Sequence, residues 1–198
     1  MVTPARRVLV ALLLAGAFGL AAGVFKGDGP GLRAAIGNLS APWLLVAFLP
    51  ALPSRTPWRG ALMGLGSTLV ALSGFYVALT MVLVGHLGGG GHVRELLVEA
   101  GANRIYFLAG LVTGPLFGAA GAWVGRHRPA LAMPVVGGLL AGEIVAVALA
   151  QGRQLAPPPL YFVWGVDSWT PYLAECLLGL GIIATTVARR HSRATAGS

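Results

Sequence analysis

Residues 131–150 read LAMPVVGGLLAGEIVAVALA, with Glu143 as their one charge. A helix of that length reaches about 30 Å, the thickness of a bilayer's hydrocarbon core. No polar face repeats along it, as one would on the surface of a water-soluble domain. The stretch therefore reads as a transmembrane helix, and its lone acid as the exception to be explained.

Five comparable apolar runs lie on either side, at about 8–25, 32–52, 61–84, 105–125 and 170–188. The expected fold is an all-α polytopic bundle of six transmembrane helices. Residues 1–198 form one integral membrane domain surrounded by the lipid bilayer. Composition agrees: the chain is 56% hydrophobic and 10% charged, with a mean hydropathy of +0.78, whereas soluble domains carry about 25% charged residues. The run at 8–25 follows Arg6 and Arg7, and Leu20-Ala21-Ala22-Gly23 offers small residues for signal cleavage. With five further spans behind it, retention as an anchor is the expectation.

The net charge of +8 comes from thirteen arginines and Lys26 set against six acids. The basic residues are spread between the apolar runs and make no continuous patch, so nucleic acid is not an expected partner. Their placement speaks to orientation. With the N-terminus inside, Arg6, Arg7, Arg55, Arg59, Arg126, Arg128, Arg189, Arg190 and Arg193 fall in inner segments. Lys26, Arg33, Arg94, Arg104 and Arg153 fall in outer ones, which makes nine against five. The positive-inside rule then puts both termini in the cytoplasm of a multi-pass protein of a bacterial inner membrane. Asp28, Glu95, Glu99 and Asp167 all lie in outer loops.

Run 32–52 is interrupted. Pro42 lies at its middle, with Pro50 and Pro53 near its end. A mid-helix proline removes a backbone bond and bends or breaks the helix. The expected shape is an outer piece, 32–39, followed by a helix from Ala41, with Asn38 and Ser40 as capping residues. The stretch reads either as a kinked span or as a broken helix that exposes backbone to a cavity.

Small residues at steps of four mark close helix contacts in lipid. They occur as Ala15, Gly19 and Gly23, as Gly110, Gly114 and Gly118 with Gly121 and Gly125 beside them, and as Gly138, Gly142, Ala146 and Ala150. Most are expected to pack internally, and one seam is a candidate for docking a partner subunit or a second copy. Pro115 is expected to kink the fourth span.

Glu143 lies about seven residues, roughly 10 Å, below the outer end of its span. A charge at that depth costs on the order of 2–3 kcal/mol, so the side chain is expected to face protein or water. Glu175 sits five residues into the sixth span. In the third span Gly66, Ser73, Tyr76 and Thr80 share a helix face. A cluster of Tyr76, Thr80, Glu143 and Glu175 in the outer third of the bundle is the central expectation. It is read either as interhelical glue or as a ligand or proton site.

The loop from Gln151 to Thr170 carries three prolines, then Trp164, Asp167 and Trp169. Its aromatics read as an interfacial belt, or as a lid whose Trp164, Trp169 and Asp167 close over the acids. The lid would suit a small cationic solute through cation–π and charge contacts. The residues give no nucleophile or acid–base pair to make an enzyme. Two histidines, His86 and His92, flank a four-glycine run, which is too few ligands for a metal site. The single Cys176 excludes an internal disulfide. No cofactor is implied.

The pattern Asn38-Leu39-Ser40-Ala41-Pro42-Trp43, followed by Gly114-Pro115-Leu116-Phe117-Gly118-Ala119-Ala120-Gly121-Ala122-Trp123, resembles an uncharacterised family of small multi-span membrane proteins from actinobacteria. That resemblance implies no activity. More loosely, the chain is similar to the substrate-binding subunits of energy-coupling-factor vitamin transporters. Those have six spans, a small-residue seam on the first span (Ala11, Ala15 and Gly19 here) and a pocket roofed by outer loops. The function expected is small-solute binding or transport from the outer face. The alternative is a non-catalytic accessory or assembly protein that docks a partner through its glycine seams.

Overall fold

The computed structural model describes residues 4–26, 30–87, 94, 96–98, 101, 104–156, 162–163, 166 and 168–196. Within them the chain is built of helices: α1 (Pro4–Lys26), α2 (Leu32–Gly37), α3 (Ala41–Ala51), α4 (Pro57–Leu87), α5 (Arg104–His127), α6 (Ala132–Ala150) and α7 (Thr170–Ala196). A single 3-10 turn, Pro129–Leu131, leads into α6. Six helical segments are long and apolar enough to cross a membrane, with α2 and α3 together making the second, Leu32–Ala51. Among the described residues, a short antiparallel pair, β1 (Gln154–Ala156) and β2 (Phe162–Val163), lies in the loop before α7.

The second span is two helices because Pro42 is the second residue of α3. It has no N–H to offer the turn before it, so α2 cannot run on into α3, while the first turn of a helix tolerates it well. The expected side-chain cap is absent: Ser40 precedes α3 in a helical backbone conformation and makes no capping bond of its own. The cap comes from elsewhere in the chain.

α1 lies along α4, and α4 packs on its other sides against α3 and α5. α6 and α7 form a hairpin that meets the rest mainly through α3, with α2 touching α7. The apolar core at this junction joins Ala41 and Phe48 of α3, Val124 of α5, and Val136 and Leu140 of α6.

Close approach sets these pairings. A Cβ on Gly19 would strike the carbonyl of Ala71, one on Gly64 that of Gly114, and one on Gly118 that of Gly60. The seam on α5 thus serves two neighbours, since Gly121 and Gly125 abut the carbonyls of Phe48 and Leu52 in and beyond α3. Between α6 and α7 the contact is Gly137 against Gly179. Gly138 and Gly142, the α6 residues expected to form a seam, meet nothing within 4 Å.

Candidate functional site

The break in the second span leaves the first N–H groups of α3 without acceptors in a preceding turn. Glu143 supplies them from α6. Its Oε1 accepts the N–H of Ser40, and its Oε2 accepts that of Ala41 at 2.6 Å. A carboxylate at a helix N-terminus also faces the positive end of the helix dipole. Glu143 is only 6% exposed, so the cost of placing an acid at that depth is offset by two charge-assisted bonds.

Glu175 on α7 stands beside Glu143. It is 7% exposed, and neither carboxyl oxygen has a hydrogen-bond partner among the described residues. Ionised, both carboxylates only accept; a proton held by one of them lets it donate to the other. Every arginine and lysine of the chain lies outside the apolar centres of the spans.

Tyr76 and Thr80 on α4 are buried as well, and the Thr80 hydroxyl has no partner among the described residues. Tyr76 stacks on Phe107 of α5, with ring centroids 5.1 Å apart. It is continued by Phe75, whose ring meets Trp43 edge-on at 5.6 Å, and Trp43 meets Phe18 at 5.1 Å. An aromatic row therefore runs from α5 across α4 and α3 to α1. Trp43 lies two residues beyond the amide that Glu143 holds, so this row and the acid pair meet at the start of α3. Ser73, expected on the same face, is exposed and bonds its own helix at the carbonyl of Leu69.

Trp169, just before α7, and Tyr172 and Glu175 on it follow at steps of three. Trp169 is exposed, Tyr172 is buried, and their rings are 6.1 Å apart, edge to face. They form an aromatic pair between the start of α7 and the acid. Tyr172 was not singled out by sequence reasoning; its position three residues before Glu175 was the available signal. Trp164, Asp167 and the glycine run 88–91 with His92 lie outside the described residues. No cluster of three metal-ligating side chains occurs among those described.

A family model described as "Family of unknown function (DUF6518)" matches residues 1–197, and the chain belongs to that family. No curated protein and no solved structure matches it.

Proposed function

We propose that this integral membrane protein binds, and moves or hands on, a small cationic solute entering from the outer face. The observation that supports this most directly is Glu175: a buried carboxyl whose oxygens accept no hydrogen bond among the described residues, beside a second acid already committed to backbone amides. A positively charged guest supplies a donor. Glu175 is its direct partner, and Glu143 fixes the geometry of the broken helix around it. Tyr172 and Trp169 line the way in, where a cation gains from aromatic faces, and Tyr76 and Thr80 stand on α4, which adjoins the acid-bearing helix α6 through α3. Broken helices recur at solute and ion sites in membrane transporters because they bring unpaired backbone groups to a protein-lined interior.

In this proposal both termini are cytoplasmic, the membrane is a bacterial inner membrane, and the protein is not an enzyme. Work as one subunit of a larger transporter, as the likeness to vitamin-transporter subunits implies, is the same proposal with a partner added.

The test is binding of methylammonium, choline and larger amines to purified protein, read by tryptophan fluorescence and by uptake into vesicles. Saturable binding by wild type, lost in Glu175→Gln, supports the reading. Binding that survives Glu175→Gln, or amines that never bind, overturns it.

One observation favours the accessory reading. Gly138 and Gly142 face outward with open space beside them, followed by the exposed Ala146 on the same side of α6. A partner helix seated there would make this chain an assembly factor. Native mass spectrometry of gently extracted protein distinguishes a bound solute from a bound subunit.

A further inference from the structure

The opposite end of the molecule gathers arginine without acid. Arg6, Arg7, Arg55, Arg59, Arg126, Arg128, Arg189, Arg190 and Arg193 belong to segments at that end that contain no Asp or Glu. Between the α3–α4 loop and the end of α5 there is a cleft of about 500 Å³. It is lined by Arg55 and Arg126, by the Ser54 and Thr56 side of the loop, and by Leu52, Pro53 and Gly125. Arg126 Nη1 donates to the carbonyl of Arg55 at 2.9 Å, which pins the loop to α5, and both residues line the cleft. A guanidinium has five N–H donors, and this bond uses one of Arg126's. On either side of the cleft in sequence stand Trp58, 72% exposed, and Trp123, 49% exposed. Tryptophans exposed at helix ends settle at the headgroup level of a bilayer.

We propose that this cleft is a binding site for the phosphate of an anionic phospholipid headgroup. Two guanidinium groups beside hydroxyl-bearing loop residues match the charge and the several acceptor oxygens of a phosphodiester. The flanking tryptophans set the cleft at the depth where that phosphate lies, and Leu52 and Pro53 give its floor an apolar side for the upper acyl chain. Basic pockets between spans are a recurrent form of headgroup recognition. The proposal is independent of the acid pair at the other end.

The experiment is reconstitution into vesicles of equal parts phosphatidylglycerol and phosphatidylcholine, gentle extraction, and native mass spectrometry of the retained lipid. Wild type is expected to retain phosphatidylglycerol in excess. Arg55→Gln, which keeps the Arg126 bond to the Arg55 carbonyl, is expected to reduce that excess about 5-fold. Arg189→Gln, at the same end but outside the cleft, is expected to leave it unchanged. Equal retention of both lipids overturns the proposal, as does an equal fall in Arg55→Gln and Arg189→Gln, which would mean diffuse charge. Displacement of the lipid by millimolar inorganic phosphate also overturns it, because the site would then serve a free anion.

Discussion

Glu143 and Ala41 are 102 positions apart in the chain, yet the carboxylate of one holds the backbone N–H of the other at 2.6 Å. The bond joins α6 to the start of α3 at the point where Pro42 interrupts the second span. A residue that looks like a buried liability in its own helix is the cap of a different one.

Glu143→Ala leaves the amides of Ser40 and Ala41 without an acceptor. The expected loss is about 2–3 kcal/mol, read as a melting temperature lower by about 5 °C or more in detergent. Glu143→Gln, which keeps one acceptor oxygen, is expected to fall between wild type and Ala. An unchanged melting temperature in Glu143→Ala would mean that the break is capped in another way.

Glu175 behaves oppositely. Among the described residues its oxygens accept no hydrogen bond, so removing them exposes no orphaned donor there. Glu175→Gln and Glu175→Leu are expected to be as stable as wild type or more so, while cation binding is lost. Destabilisation of both variants, comparable to that of Glu143→Ala, would assign Glu175 a structural role.

The glycines divide in the same manner. Gly118→Ala drives a methyl into the Gly60 carbonyl, and a cost of about 3 kcal/mol or more is expected from overpacking. Gly138→Ala meets open space and is expected to be neutral, or to gain up to about 1 kcal/mol from helix propensity. Melting curves of the pair decide this. If Gly138→Leu shifts the oligomeric state in native mass spectrometry without a change in stability, the outward seam of α6 is an interface.

Orientation is open to single-cysteine labelling. In a Cys176→Ser background, Ser192→Cys is expected to resist a membrane-impermeant maleimide added to whole cells, and Gly101→Cys to react. The reverse pattern would invert the topology.

Much of this architecture is legible in the residues. The six apolar runs follow from length and hydropathy alone, and the break before α3 follows from Pro42. The partner of Glu143 is not legible, because it is a pair of backbone amides that every sequence possesses. The expectation that Ser40 would cap α3 rested on its side chain, and the structure uses its main chain instead. The rotation of each helix is equally hidden. Gly137 and Gly138 are neighbours of identical chemistry, and only the three-dimensional arrangement assigns one to α7 and the other to the outside. Tyr76 and Thr80 were visible as a polar stripe. That Ser73, on the same stripe, is exposed depends on what covers α4 at each level.

The long separation between Glu143 and its two amides has a consequence for biogenesis. Ser40 and Ala41 leave the ribosome 103 and 102 residues ahead of the carboxylate that completes them, which is about 5–20 s of synthesis. Through that interval the second hydrophobic segment sits in or beside the translocon with its internal gap unsealed. The nascent bundle is finished only when the penultimate segment inserts, so a chain truncated before α6 is expected to be recognised and degraded as an incomplete product.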